Sequence, residues 1–171
     1  MNDPATVPTY PSRHDTQKGV PTVPEVHSPA GERAEHAAVF HTWAKAISDA
    51  DLDSYLTCFS EDTVVEDLAL DTTTRGLEAV KEGAARWFAA FRDTSLDLTC
   101  HLEGDGHAAV SWTYTGVVAD AHPGVFDRSA VGRRFTKHGI SLFRFDDENR
   151  FAWERSYWDL GELQRSVSGE D

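Results

Sequence analysis

Asp67 and Glu154, two acidic residues in strand-like runs, are the side chains of this sequence best suited to proton chemistry. A carboxylate in an aromatic-lined, poorly hydrated cavity is pushed toward neutrality, where it can both give and take a proton. Two carboxylates in different surroundings could therefore divide the work of acid and base. Asp67 closes the run Val64-Val65-Glu66-Asp67, and it could equally be a strand-end carboxylate held by hydrogen bonds. Glu154 could equally be a solvated partner of an arginine at the surface or in a dimer face. Trp43, Tyr55, Trp87, Phe88, Trp112 and Trp158 could line an apolar cavity for a flat, ring-containing substrate, or simply fill the core.

Other chemistries find less support. His36 and His41 are five positions apart, off the i,i+4 spacing that places two ligands on one helical face. His101, His107, His122 and His138 fall on separate strands and loops without ligand spacing. No metal and no cofactor is expected, and no phosphate loop, nucleophile elbow or Cys–His signature occurs. Cys58 and Cys100 read as two buried thiols of a reducing compartment. A formal net charge of −13 argues against nucleic acid, which needs clustered Lys and Arg. No apolar run reaches the length of a membrane span, and no basic amphipathic stretch suggests a membrane surface. The start of the chain lacks the charged-then-apolar order of a signal peptide, so a cytoplasmic protein is expected.

The elements that would position these residues follow from composition and periodicity. Six of the seven prolines precede residue 30, and Tyr10 is the only aromatic there. Residues 1–31 are thus expected to be a disordered or draped tail, and residues 32–171 one domain. Val39, Phe40, Trp43, Ala46 and Ile47 mark a first helix. Asp49-Ala50-Asp51 breaks and recaps the chain into a second, carrying Leu52, Tyr55, Leu56 and Phe59. After a short strand, Thr63–Asp67, and a loop ending at Arg75-Gly76, a third helix carries Leu77, Val80, Ala84, Trp87, Phe88 and Phe91. Leu96, Leu98, Cys100 and Leu102 then alternate with polar residues, and Gly104-Asp105-Gly106 turns into a strand where Val110, Trp112 and Tyr114 share a face. Beyond the loop Ala119–Arg133, Phe135–Phe145 and Phe151–Trp158 pair across Asp146-Asp147-Glu148-Asn149. Helices first and a meander of strands afterward predict an α+β domain. Three N-terminal helices would pack on a curved, mostly antiparallel sheet that encloses a pocket.

This order, with its residues, resembles the nuclear-transport-factor-2-like superfamily, a cone-shaped fold, and most closely its SnoaL-like polyketide cyclase branch. The resemblance rests on Ser48-Asp49-Ala50-Asp51-Leu52 and on Val64-Val65-Glu66-Asp67 with Arg75-Gly76. It rests also on Trp112 with Thr115-Gly116, on Phe143-Arg144-Phe145, and on Tyr157-Trp158-Asp159-Leu160. The position of the ketosteroid isomerase base falls on Asp67, and that family's two oxyanion donors fall on Trp43 and Ser141. The His–Asp dyad of SnoaL-type cyclases falls on Ser141 and Ser156, and the water-activating Asp of limonene epoxide hydrolases also falls on Ser156. If Ser156 and Trp158 face the pocket as the family positions do, strand alternation brings Glu154 with them. Phe151, Trp153, Arg155 and Tyr157 then point away. Lys137 shares a face with Ser141, and His138 stays a candidate near the pocket mouth.

The resemblance implies a small cofactor-free enzyme, a cyclase, isomerase or dehydratase, acting on a hydrophobic carbonyl-bearing metabolite such as a polyketide or terpenoid. Asp67 and Glu154 would exchange protons, while Trp43, Tyr55, Trp112, Ser141, Ser156, Trp158 and His138 would contact substrate. The alternatives are a non-catalytic binder of the same fold and an interaction module using the outer sheet face. A homodimer is expected, because the family often packs its sheets face to face and this outer face offers Trp153 and Tyr157.

Overall fold

A computed structural model describes residues 34–168, so the proline-rich segment expected to be a tail lies outside the described residues. The elements run α1 (Ala34–Asp49), α2 (Leu52–Leu56), β1 (Phe59–Asp67), β2 (Thr72–Arg75) and α3 (Leu77–Ala90), followed by β3 (Phe91–Gly104), β4 (His107–Val118), β5 (Arg134–Phe145), β6 (Phe151–Trp158) and α4 (Leu160–Ser168). Six strands form one open sheet in the order β2-β1-β6-β5-β4-β3. Every neighbouring pair is antiparallel except β1–β6, which is parallel, so the sheet is mixed.

The α+β class expected from sequence is what the chain adopts, but the helices are arranged differently. Only α1 and α2 precede the sheet. The third helix follows β1 and β2, and a fourth, α4, closes the described chain. Asp51 caps α2 by accepting from the Ser54 amide at 3.1 Å, but the helix ends at Leu56. Phe59, expected on that helix, instead opens β1 and pairs with Phe151. A buried ladder partner outweighs the helical period over so short a run. In α4, Leu163 and Val167 are buried and Asp159 caps the first turn by accepting from Gly161 N at 2.7 Å.

The core sits between the helices and one face of the sheet. In α1, Phe40, Trp43 and Ala44 fall at i, i+3 and i+4 and are buried. In β4, Ala108, Val110, Trp112 and Tyr114 alternate inward with outward neighbours. Phe40, Phe143 and Phe151 stack edge-on or tilted with centroids 4.4–5.2 Å apart. Phe151 was expected to point outward by strict alternation. A bulge breaks that alternation: Phe145 pairs with Phe151 while the preceding Arg144 pairs with Trp153, which turns Phe151 inward. Cys58 is buried, its thiol pushed up to about 12 by burial, whereas Cys100 is exposed, contrary to expectation. Among the described residues no helix is long and apolar enough to cross a membrane.

Candidate active site

A cavity of about 310 Å³ opens between α1, α2, α3 and the inner face of the sheet. It is at the small end of the ~300–1,000 Å³ usual for ligand sites, which suits a compact ring compound. Strand register decides which side chains enter it. Asp67 at the end of β1 sits beside Ser156 of β6, Ser156 beside Ser141 of β5, and Ser141 beside Val110 of β4. One layer further along, Trp112, Gly139 and Trp158 are neighbours in the same way. From the helices come Trp43, Tyr55 and Trp87.

Glu154 lies at the centre of a polar chain in this apolar enclosure and is 4% exposed. Its Oε1 is 2.9 Å from Ser156 Oγ and 3.2 Å from Ser141 Oγ, and the two hydroxyl oxygens are 2.9 Å apart. Trp112 Nε1 donates to Ser141 Oγ at 3.1 Å. Each hydroxyl has one proton, so the sequence Trp112 to Ser141 to Ser156 to Glu154 uses every donor once. No hydrogen bond from a described residue reaches Oε2, which is left to the cavity. Burial pushes the Glu154 carboxyl up to about 7, against the opposing pull of the two hydroxyls.

Lys137 is the residue that sequence reasoning placed on the right face without assigning it a role. It is 5% exposed, and its Nζ stands 3.7 Å from the ring centroid of Trp158, 4.4 Å from Trp87, 5.2 Å from Trp112 and 5.7 Å from Tyr114. An ammonium is attracted to such ring faces. It forms no hydrogen bond or ion pair with a described residue, however, and burial brings it down to about 7 although Asp67, Glu154 and Glu162 all pull the other way. Glu154 and Lys137 thus titrate in the same range. A carboxylate with an ammonium, and a carboxylic acid with an amine, carry the same total charge, so near neutrality the pair holds a proton that either member can carry. Gly139, on the same face between Lys137 and Ser141, makes the enclosure possible. A Cβ there would collide with the Trp112 ring and lie 2.7 Å from the Tyr157 carbonyl oxygen.

Asp67 lines the cavity but is fully engaged. Its Oδ2 accepts from Trp158 Nε1 at 2.9 Å, and its Oδ1 accepts from the amides of Ala69 and Leu70 at 3.0 and 3.1 Å. It therefore fixes the Trp158 ring against Lys137 and closes the turn after β1. The buried Trp43 indole N–H has no hydrogen-bond partner among the described residues. The nearby Tyr55 hydroxyl, whose ionisation that N–H would favour, is not in bonding geometry with it, and burial raises the Tyr55 phenol well above its ordinary value.

Of the residues expected at the site, Asp67, Glu154, Trp43, Tyr55, Trp112, Ser141, Ser156 and Trp158 all line this cavity. His138 does not. It is on the opposite face of β5, its side chain 60% exposed, with Nδ1 2.7 Å from Glu162 Oε1 and its amide donating to Oε2 at 3.0 Å. This pairing secures α4 rather than the pocket mouth. A broader depression of about 550 Å³ lies elsewhere, lined by Leu102, Leu142, Arg144 and Trp153. It has no counterpart of the buried Glu154 and Lys137 of the smaller, inner cavity. Among the described residues no group of three or more His, Cys, Asp or Glu is placed to hold a metal ion.

Solved structures share this architecture. TsrD of Streptomyces laurentii is 24% identical, with a TM-score of 0.69 over 81% of this chain and 98% of that one. A candidate polyketide cyclase of Xanthomonas campestris pv. campestris is 20% identical, also with a TM-score of 0.69, over 81% of this chain and all of its own (100%). A protein of ketosteroid isomerase-like fold from Catenulispora acidiphila, solved with trimethylamine, is 19% identical, with a TM-score of 0.62 over 75% and 91% of the two chains. At these identities the likeness is one of fold. No curated protein matches the chain. The SnoaL-like domain model matches residues 40–153, well over half the sequence and all the strands that build the cavity up to the start of β6; the chain belongs to the SnoaL-like domain family.

Proposed function

We propose that this domain is an enzyme that moves protons on a small, ring-containing carbonyl compound, in an isomerisation, cyclisation or dehydration. The observation that carries the reading is Glu154, a buried carboxyl at about 7, tethered through one oxygen and open to the cavity through the other. A group poised near the working pH exchanges protons in both directions, which is what general acid–base catalysis asks of it. Asp67, the base suggested by family position, is better suited to positioning, since three donors already occupy it. A protonated Lys137 would stabilise negative charge developing on the substrate oxygen. The candidate polyketide cyclase of the same fold is consistent with a polyketide-like substrate.

A probe with these features is 2-tetralone, whose α-hydrogens exchange with solvent deuterium on enolisation. The wild-type protein is expected to accelerate that exchange, followed by NMR, and Glu154→Gln to remove the acceleration. Exchange by the variant equal to wild type would overturn the reading. The aromatic lining favours a second reading, a protein that binds such compounds without turning them over. Saturable binding of 2-tetralone with no acceleration of exchange would establish it. The expected homodimer would use the outer sheet face, where Ile140 and Tyr157 are exposed. A monomer at every concentration in sedimentation velocity would remove it.

A further inference from the structure

Acid–base chemistry uses Glu154 and leaves Lys137 only as a nearby charge, yet Lys137, although faced by four aromatic rings, is buried without a hydrogen-bond acceptor among the described residues. An ammonium that merely balances a carboxylate is expected within bonding distance of it, and this one bonds no described carboxylate. Its Nζ stands among four aromatic rings, and Lys137 belongs to the cavity lining together with Glu154. We propose that Lys137 is a nucleophilic amine that captures the carbonyl carbon of a ring-bearing aldehyde or ketone as an imine, with Glu154 as the acid that drives out the oxygen. The proposal rests on the carbonyl-substrate reading above and adds a covalent step to it.

The step balances within the site. The Nζ lone pair forms the C–N bond while the carbonyl π electrons move to oxygen. That oxygen takes a proton from Glu154, and nitrogen returns one to the resulting carboxylate, giving a neutral carbinolamine. Glu154 then protonates the hydroxyl, the C–O bond breaks, water leaves, and the protonated imine remains; hydrolysis reverses the sequence. Net, one carbonyl and one amine give one imine and one water, and no oxidant or reductant is consumed. The neutral form of the Glu154–Lys137 pair supplies a free amine and a carboxylic acid in one cavity, which is the combination this addition needs. An exposed lysine of ordinary pKa has on the order of 10³-fold less free amine at pH 7. A protonated imine is also a stronger electron sink than the parent ketone, so it would acidify the α-hydrogens that Glu154 is proposed to handle.

The test uses the wild-type protein with 2-naphthaldehyde at pH 7 and sodium cyanoborohydride, which reduces any imine to a stable secondary amine, followed by peptide mapping. Alkylation is expected at Lys137 with at least a tenfold preference over Lys45, Lys81 and the α-amino group. Lys137→Met keeps an unbranched apolar stem in the aromatic enclosure and is expected to lose the adduct while still binding 2-naphthalenemethanol, read by tryptophan fluorescence. Glu154→Gln is expected to slow adduct formation at Lys137. Labelling spread evenly over the amines, or none at Lys137, overturns the proposal whether or not the variants fold. Binding of the alcohol without an adduct at Lys137 removes the lysine chemistry and leaves the acid–base reading standing; loss of exchange in Glu154→Gln reports on that reading separately.

Discussion

The two faces of the central strands carry the same kinds of charge and treat them oppositely. On the outer face Glu66 Oε2 accepts from Arg155 Nε and from Trp153 Nε1, each at 2.8 Å. The Arg155 hydrogen bond holds the Glu66 carboxyl below its ordinary range and raises the guanidinium in turn. One residue away along each strand, facing inward, Asp67 and Glu154 meet Trp158, two serines and a lysine that bonds neither. The outer pair is direct, partly solvated and fixed in its charged form, while Glu154 and Lys137 are separated and dry, and burial drives both toward neutrality. Burial without direct contact, rather than the presence of opposite charges, is what moves both groups toward neutrality here.

The comparison is broken most severely at the inner carboxyl. Glu154→Gln is expected to lower tetralone exchange by about 10²–10⁴-fold, the usual contribution of a general acid–base group. Glu66→Gln is expected to change it less than about twofold, because it alters only an outer, solvent-screened pair. Equal losses in the two variants would abolish the distinction between the faces.

Stability against pH is the next largest effect. Glu154 sits above its ordinary value, so folding takes up a proton between 4.5 and about 7, and stability falls as pH rises through that window. Lys137 sits below its ordinary value, so folding releases a proton between about 7 and 10.5, and stability rises again across that range. The displacement is worth roughly 3 kcal/mol for Glu154 and roughly 5 kcal/mol for Lys137. In urea unfolding from pH 4 to 10, Glu154→Gln is expected to flatten the acid limb relative to wild type, and Lys137→Met the alkaline limb. Variant curves parallel to wild type would show that the two groups are not buried as described.

Smaller effects sharpen the same contrast. Gly139→Ala places a methyl against the Trp112 ring and the Tyr157 carbonyl, and overpacking of this kind costs about 1–3 kcal/mol. Chemical denaturation gives the cost, and a change in tryptophan emission reports the displaced ring. Arg155→Ala removes a solvent-screened pair and is expected to shift the denaturation midpoint less than Gly139→Ala does.

Much of this site could be read along the chain, because strand alternation is local. Knowing that Ser156 and Trp158 face inward was enough to bring Glu154 with them, and the run ending at Asp67 was read correctly as a strand. Alternation failed at Phe151, where the inserted residue of a bulge has no signature of its own in Phe151-Ala152-Trp153. The role of Lys137 was not legible for a different reason. Its face could be assigned from Ser141, but its dryness depends on Trp87 from α3 and Trp158 from β6 converging on it, a non-local fact. The Asp67 role went to the base on family position, although an acid closing a strand just before a turn is also suited to capping that turn, which its bonds to Ala69 and Leu70 fulfil. His138 was drawn to the pocket by its neighbourhood, and its partner on α4 belongs to a short helix stabilised mainly by packing.

The parallel contact of β1 with β6 also sets the order in which the molecule can be made. Trp158 donates to Asp67 across 91 positions of sequence, and β1 has only the four-residue β2 as a nearer strand neighbour. A nascent chain elongating at about 5–20 residues per second must therefore wait several seconds between synthesising one half of the site and the strand that completes it. During that interval β1 has α2, α3 and β2 beside it but not its long strand neighbour, and contacts of such long sequence separation are slow to close. The cavity is therefore incomplete until β6 lies between β1 and β5, where it delivers Glu154, Ser156 and Trp158 together.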